Sequence, residues 1–367
     1  MPVSVRLIAK KTSTFHDFPY SSPARKCFHC WIINVTPPGL RHCIHGCIYC
    51  YAREAIYTDH SGQLCVYSNL PELVEKDLRR LKLCPPISIS NVSDPCQDIP
   101  EVRREVLRLV GLLMDQGVAF AITTKGDAGF LAQLDGFAGY PLKFVAVTIE
   151  GTPDMLPLLS PGAPPFAERL ASVERLSRQG VATVVRLDPA FLHLFEALHG
   201  ASWWGSVERL VAQFASAGAR HVVCSTGRLS RARSLPAVGA VIERFSLAAA
   251  GRFEGDYARQ STWTGNGYLL REELRKAFHR GLKRLVEEQG MTYASCQELP
   301  AAESDSAGLP HCEGLPLPFV RRGEDGRFHP VPGCTANCHV SCLGLAMPPC
   351  GRPALVTPRP LRMSSLR

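Results

Sequence analysis

Three cysteines stand within eight positions of the chain, in the run Cys-Ile-His-Gly-Cys-Ile-Tyr-Cys that covers residues 43–50. Cys43, Cys47 and Cys50 are too close together to be three independent structural thiols, so their spacing predicts a shared metal. Soft sulfur ligands select zinc, copper(I) or an iron–sulfur cluster. Structural zinc takes four protein ligands, whereas three cysteines leave one iron of a four-iron cluster open. The loop therefore predicts an iron–sulfur centre that can bind a further ligand.

The composition is that of a large folded protein. The 367 residues are 46% hydrophobic, enough for one barrel-sized core with extensions. The chain starts without a secretory signal and has no run of about 18 apolar residues, so we expect a cytoplasmic protein with no membrane segment. Fifteen cysteines in such a chain indicate reduced, metal-binding thiols rather than a disulfide scaffold. The net charge of +8 fits a nucleic-acid partner and fits a merely basic soluble protein equally well.

Short apolar runs alternate with amphipathic stretches from about Cys65 onward, which is typical of βα units that build a parallel sheet. Gly117, Gly180 and Gly218 follow three of the predicted helices, at the position where helices commonly end in glycine. The predicted strands lie near residues 42–44, 87–91, 119–123, 144–148, 183–187 and 221–224. The predicted helices cover residues 71–83, 102–116, 130–134, 166–179, 207–217 and 269–290.

Further motifs follow the cysteine loop in order. Residues 43–53 read Cys-x-His-Gly-Cys-x-Tyr-Cys-Tyr-Ala-Arg, and Asn-Leu-Pro-Glu-Leu (69–73), Ser-Asp-Pro (93–95), Thr-Lys (124–125) and Leu-Ser-Pro-Gly-Ala-Pro-Pro-Phe-Ala-Glu-Arg-Leu (159–170) come after them. This set resembles the radical S-adenosylmethionine (radical SAM) superfamily, and within it the spore photoproduct lyase-like branch. The resemblance covers roughly half of the chain and implies an α/β fold, a partial TIM-type (β/α)6 barrel.

We therefore expect four parts in the chain. They are an N-terminal segment with Cys27 and Cys30 (1–36), the (β/α)6 barrel (37–230), a helical extension (231–310) and a cysteine-rich metal-binding segment (311–367). The last segment is rich in Pro, Gly and Cys and has little periodicity, so a metal is expected to replace a hydrophobic core there.

The resemblance also implies the chemistry. The three loop cysteines would ligate a 4Fe-4S cluster whose open iron binds S-adenosylmethionine, and one-electron reduction would release a 5′-deoxyadenosyl radical that abstracts hydrogen from a substrate. An electron donor such as ferredoxin or flavodoxin is then required. The substrate stays open between a nucleic-acid base and a peptide.

Polar residues that follow the predicted strands are candidates for binding this cofactor. Ser93 and Asp94 can receive its ammonium group, and Lys125 can pair with its carboxylate. For Arg186, an ion pair with Asp188 or with Glu150 is an equal alternative. For Tyr49, the aromatic residue before the last loop cysteine, simple packing in the loop is an equal alternative. The full candidate set is Tyr49, Ser93, Asp94, Lys125, Thr148, Glu150 and Arg186.

Cys96 is the candidate for a catalytic thiol. Spore photoproduct lyase has a cysteine before its Ser-Asp pair that returns hydrogen to the substrate radical, whereas here Cys96 lies after Ser93 and Asp94. A buried structural cysteine is the alternative. Reversal of a thymine dimer is therefore not transferred to this chain.

A second group of cysteines follows the predicted barrel. Three cysteines at intervals of four, with a fourth eight residues on, predict a second iron–sulfur cluster or a structural zinc. These are Cys334, Cys338, Cys342 and Cys350, and Cys27, Cys30 and Cys312 are candidates to complete one of the metal sites. The alternative for the whole chain is a non-catalytic cysteine-rich zinc or iron–sulfur protein that serves as a binding scaffold or electron carrier.

Overall fold

The structure, a computed structural model, describes residues 3–18, 26–37, 42–54, 63–262, 265–356 and 362–367. The strands are β1 Val5–Ile8, β2 His16–Phe18, β3 Cys30–Ile33, β4 Leu64–Tyr67, β5 Leu83–Cys84, β6 Ile87–Ile89, β7 Phe120–Thr124, β8 Lys143–Thr148, β9 Thr183–Leu187, β10 His221–Cys224, β11 Arg228–Leu229, β12 Tyr257–Thr262, β13 Gly265–Leu270, β14 Thr292–Ser295, β15 Val320–Arg322 and β16 Phe328–Pro330. The α-helices are α1 Leu70–Leu78, α2 Pro100–Gln116, α3 Leu156–Leu159, α4 Phe166–Arg178, α5 Leu192–His199, α6 Trp203–Ser216, α7 Ser234–Glu243, α8 Leu247–Asp256, α9 Glu272–Glu288, α10 Ala301–Ser304 and α11 Cys338–Ser341.

The central sheet has eight strands in the order β14-β10-β9-β8-β7-β6-β3-β2. All neighbours pair in parallel except β2, which runs antiparallel to β3 at one edge. The parallel strands lie side by side in chain order, and β8 and β10 are buried along their whole length. Continuous burial is typical of parallel strands covered on both faces. The fold is α/β with a mostly parallel central sheet.

The predicted strands from residue 87 to residue 224 are confirmed as β6 to β10, with ends that differ by at most two residues. The strand predicted at 42–44 is wrong, because these residues form bends and turns before the cysteine loop. The first parallel strand is instead Cys30–Ile33, four consecutive buried residues. The sheet also gains β14 within the stretch expected to be helical. It therefore extends beyond the predicted barrel limits of 37–230 at both ends.

Most predicted helices are confirmed, with shifted ends. Gly117 ends α2 in the left-handed conformation, as expected. The helix predicted over 71–83 stops at Leu78, and residues 83–84 form strand β5. The stretch predicted as helix at 130–134 is a 3-10 helix, Ala128–Gln133. The helix predicted at 269–290 is α9, in which Phe278, Leu282 and Leu285 are buried while Leu274 is 37% exposed.

Smaller sheets flank the central one. Strand β1 pairs with β4, the hairpin β12–β13 pairs with β11, and β15 joins β16 to β5. Through the last of these sheets, the cysteine-rich segment pairs with β5, the short strand that follows helix α1 in the chain. None of the helices in the described ranges has both the length and the apolar composition needed to cross a membrane.

Candidate functional site

A cavity of about 480 Å³ opens at the carboxyl ends of the parallel strands. Its walls come from the segments that follow β6, β7, β9, β10 and β14, and the three cysteines of the loop at 43–50 lie in the same wall. Ligands of parallel α/β folds bind at this edge of the sheet. The cavity therefore unites the cysteine loop with most of the polar residues that the sequence singled out.

The motif at 159–170 holds the cysteine loop in place. The Gly162 amide donates a hydrogen bond to the His45 carbonyl at 2.9 Å, and the Ile48 amide donates one to the Leu159 carbonyl at 3.0 Å. A Cβ on Gly162 would lie 2.1 Å from the Ile44 carbonyl oxygen, closer than any real side chain can come. Only glycine permits this approach.

Asp94 ties the cysteine loop to the ends of β6 and β7. Its carboxylate accepts hydrogen bonds from the Cys96 amide at 2.8 Å, the Thr124 hydroxyl at 2.6 Å and the Lys125 amide at 2.6 Å. The His45 Nε2 lies 3.1 Å from the same carboxylate. Burial alone would raise the pKa of Asp94, but His45 and these donors hold that pKa well below its usual range. Asp94 is therefore ionised and already engaged by the protein.

Two cavity groups have no such partners. The Ser93 hydroxyl is buried and has no hydrogen-bond partner among the described residues. The Lys125 ammonium lies 5.6 Å from the centroid of the Tyr49 ring. Burial works to lower the pKa of Lys125, but the charge of Glu150 and the neighbouring Cys47 outweigh it and raise that pKa, so the lysine is charged. A buried acceptor without a partner and a charged lysine suit a ligand that carries an ammonium and a carboxylate.

Glu150 lies behind Tyr49 rather than in the cavity wall. The Tyr49 hydroxyl donates to Glu150 Oε1 at 2.9 Å, and Arg169 Nη1 lies 2.6 Å from Glu150 Oε2. Arg169 also donates to the Thr148 carbonyl at 3.1 Å, while Thr148 itself lines the cavity. Both charged side chains of this ion pair are fully buried. Sequence reasoning missed Arg169, although it lies within the motif at 159–170.

Arg186 is held in an ion-pair group at the cavity wall. Its guanidinium pairs with Asp188 and with Glu313, and Nη2 lies 3.6 Å from the Cys296 sulfur. The predicted alternative of an ion pair with Asp188 is confirmed, and the one with Glu150 is wrong because Glu150 pairs with a different arginine. Glu313 lies 127 residues away in the chain, so no local pattern announces it.

The loop thiols differ in their acidity. Burial opposes ionisation of Cys50, but His42, whose Nε2 lies 3.8 Å from its sulfur, lowers the pKa of that thiol. Burial raises the pKa of Cys43, with a contribution from Asp94, and raises that of Cys47 despite Lys125. Within the described residues, no three His, Cys, Asp or Glu side chains lie close enough to share one metal ion. Cluster ligands need not meet that test, because each cysteine binds a different iron.

Cys96 does not line the cavity. Its side chain is 1% exposed, and burial raises its pKa well above the ordinary value. Gly126 packs directly against it, since a Cβ there would lie 2.1 Å from the Cys96 carbonyl oxygen. The geometry corresponds to the alternative of a structural cysteine.

Most of the other cysteines fall into two sets, to which Cys65, Cys84 and Cys224 do not belong. In the first, Cys27 and Cys312 have their sulfurs 3.7 Å apart. Burial raises the pKa of Cys296 with a contribution from Cys27, and the hydrogen bond with Cys27 and burial raise that of Cys312 with a contribution from Cys296. Cys27, Cys296 and Cys30 line the same cavity as the cysteine loop. Sequence spacing could not reveal this set, because Cys27 and Cys312 are 285 residues apart in the chain.

The second set is Cys334, Cys338, Cys342 and Cys350, the four that the sequence spacing singled out. Burial raises the pKa of Cys338, and Cys334, Cys342 and Cys350 raise it further. The amides of Phe319 and Ala336 both donate to the Cys334 sulfur at 3.4 Å. Amide donors stabilise a thiolate, which is the form that binds metal.

The fold is similar to that of solved radical SAM enzymes. A structure of spore photoproduct lyase complexed with dinucleoside spore photoproduct matches with a TM-score of 0.55 and 16% identity, over 77% of this chain and 79% of that one. At this level of identity the similarity concerns the fold.

Sequence comparison points to the same class. A radical SAM Nalpha-GlyT isomerase of Pseudomonas phage M6 is 22% identical over 343 residues, which cover 89% of this chain and 69% of that protein. An uncharacterised protein of Mycobacterium tuberculosis is 24% identical over 224 residues, 57% of this chain and 64% of that protein. No protein-family model matches the chain. Together these similarities indicate a radical SAM enzyme.

Proposed function

We propose that the chain is a radical SAM enzyme with a 4Fe-4S cluster on Cys43, Cys47 and Cys50. The observation that carries this proposal is the placement of those three cysteines in one cavity with a partnerless buried Ser93 hydroxyl and the charged Lys125. When bound to the reduced cluster, S-adenosylmethionine supplies a 5′-deoxyadenosyl radical for hydrogen abstraction. The parallel strands lie side by side in the order in which they occur in the chain, which is consistent with the partial (β/α)6 barrel proposed for this class.

The residues of the cavity divide the work of holding the cofactor. Ser93 would receive the ammonium group, and Lys125 would pair with the carboxylate. Tyr49 would pack beside the adenine, fixed by its hydrogen bond to Glu150. Asp94 would not contact the cofactor itself. Its carboxylate would position the cysteine loop and the Lys125 backbone. Such fixed placement is the main contribution that a protein makes to cofactor chemistry.

The substrate that we propose is a nucleotide unit of a nucleic acid. The matched spore photoproduct lyase structure holds a dinucleoside, and in this chain Arg53 and Arg228 line the cavity, where they can meet phosphate groups. Binding should then weaken steeply as salt is added, because phosphate contacts release counterions. If the affinity for an oligonucleotide does not change with salt concentration, this choice of substrate is contradicted.

A second metal centre on Cys334, Cys338, Cys342 and Cys350 is also proposed. An iron–sulfur cluster is favoured over zinc, because among the described residues no three His, Cys, Asp or Glu side chains lie close enough to share one metal ion. Its support is the spacing of the four cysteines in the chain, the effect of the other three thiols on the pKa of Cys338, and the two amides that donate to Cys334.

The test of the main proposal is cleavage of S-adenosylmethionine under anaerobic conditions with dithionite as reductant. We expect the reconstituted protein to form 5′-deoxyadenosine and Lys125→Met to lower its rate at least about tenfold, since a buried charge-assisted contact is lost. Lys76→Met, at an exposed position of α1, is the matched control and should keep the wild-type rate. A fully iron-loaded protein that forms no 5′-deoxyadenosine would instead favour the scaffold or electron-carrier alternative.

A further inference from the structure

An exposed apolar surface lies on the cysteine-rich segment. Val340, Leu343, Leu345 and Met347 are 63%, 65%, 48% and 69% exposed, and we call these four residues the apolar patch. Single exposed apolar side chains are ordinary in folded proteins. Four of them within eight positions of the chain are a concentration of exposed apolar surface of the kind that marks a contact with a partner.

The segment of chain that carries the apolar patch is basic. From residue 326 to residue 367 the chain contains five arginines and no Asp or Glu. Arg321 donates to the Cys350 carbonyl at 2.8 Å, and Arg352 donates to the Arg367 carbonyl at 3.3 Å, so these exposed arginines lie along the same segment. An apolar centre with a rim of one charge is complementary to a partner with an acidic rim.

Thiols lie directly behind the apolar patch. Cys338 and Cys342 flank Val340 in the chain, and both are buried while Val340 points out. On the inner side, the His339 ring lies 6.5 Å from the ring of His29, which follows Cys27 by two residues. Since Cys27 lines the cavity, the His29–His339 contact brings the segment that carries the apolar patch against the segment that contributes to the cavity wall.

We propose that the apolar patch and its flanking arginines form the docking surface for an acidic electron-transfer protein. The inference rests on the proposed function, because a radical SAM enzyme needs one electron for each cleavage event. In the proposed step the partner loses one electron, the enzyme's metal centre gains it, and no atom is transferred. The acidic rim of the partner would meet the arginines, and its apolar centre would cover the apolar patch.

The test uses Leu343→Glu/Met347→Glu, with flavodoxin, an acidic flavoprotein, as the probe. We expect flavodoxin to bind the wild-type holoenzyme in a salt-sensitive manner and the double variant to bind at least about tenfold more weakly, measured by calorimetry. Formation of 5′-deoxyadenosine with reduced flavodoxin should fall in parallel, whereas the rate with dithionite should stay at the wild-type value. Leu247→Glu, at a 75% exposed leucine of α8, is the matched control for adding a charge.

Several results would overturn the inference. Unchanged flavodoxin affinity in the double variant would do so, and so would a wild-type dimer that the same variant dissociates, because a second copy would then occupy the apolar patch. Should the double variant lose metal or helical circular dichroism, Arg352→Glu/Arg367→Glu tests the same surface through its charge. Absence of cleavage with dithionite in the wild type would count against the proposed function alone, and flavodoxin binding would still decide whether the surface docks this partner.

Discussion

Two buried carboxylates organise the candidate site at the level of single residues. Asp94 and Glu150 are 8% and 0% exposed, and each accepts hydrogen bonds and lies beside a basic side chain, His45 and Arg169 respectively. A buried charge is tolerated only with such compensation, and removing one partner leaves the other uncompensated. These two acids therefore fix Tyr49, the cysteine loop and Lys125 relative to one another, and leave the Ser93 hydroxyl and the Lys125 ammonium to meet a ligand.

Asp94→Asn should destabilise the fold while keeping the shape of the side chain. Loss of the charge weakens three hydrogen bonds and leaves His45 without its counterpart, which we expect to cost about 2 to 4 kcal/mol in the free energy of unfolding. Urea unfolding at pH 7 measures this. Asp98→Asn, at a side chain that is 82% exposed, is the control and should change little. A variant as stable as the wild type would show that the Asp94 contacts contribute nothing net.

Comparison of the wild type with Asp94→Asn also gives a prediction about pH. Because the folded protein lowers the pKa of Asp94 below its unfolded value of about 3.9, the stabilisation is fully present above that pH and is lost as the pH falls through the folded pKa. The difference in unfolding free energy between wild type and Asp94→Asn should therefore be constant from about pH 5 to 7 and shrink below about pH 4. A difference that grows on acidification would contradict the assignment.

Cys96→Ala should retain cofactor cleavage. The thiol is buried outside the cavity, so its removal costs packing and its hydrogen bond with Thr124, together of the order of 1 kcal/mol. We expect 5′-deoxyadenosine to form at a rate within about twofold of the wild-type rate, because so small a loss of stability leaves the protein folded. A loss of activity without a loss of stability would restore Cys96 as a catalytic candidate.

At the level of elements, the strands of the sheet were predictable where strand and helix patterns alternate along the chain. The strands outside that alternating region were not predictable. Strands β6 to β10 follow apolar runs bounded by glycine, so the sequence identifies them. Strand β3 was missed because Cys30 and Trp31 stand in a segment that looked like part of a metal motif. Strand β14 was missed because its residues, Thr-Tyr-Ala-Ser, gain their burial from α9 and from neighbours that are distant in the chain. Contacts between distant segments also explain why Arg169 and Glu313 were not foreseen.

The contact between the cysteine loop and the start of the 159–170 motif gives a test at this scale. Gly162→Ala would place a Cβ 2.1 Å from the Ile44 carbonyl, so the loop must move away. We expect iron bound by the reconstituted protein to fall while far-ultraviolet circular dichroism stays unchanged, since the clash lies outside the sheet. Gly251→Ala, in α8 with open space around the glycine, should bind iron as the wild type does. Equal iron content in both variants would mean that the loop does not depend on this contact.

At the scale of the whole molecule, the cysteine loop and the four C-terminal cysteines make separable predictions about metal. Replacing Cys43, Cys47 and Cys50 by alanine should remove about four irons and abolish cleavage, because these three are the proposed ligands of the cluster that binds the cofactor. Metal should persist in this variant, held by Cys334, Cys338, Cys342 and Cys350, and mass spectrometry of the digested protein identifies it as iron or zinc. Replacing those four cysteines by alanine should remove the second metal and lower the melting temperature, since the segment around them is short of hydrophobic core. If the first variant loses all metal, the four C-terminal thiols are not a metal site, and whatever stabilises that segment must come from its packing on β5 and β15.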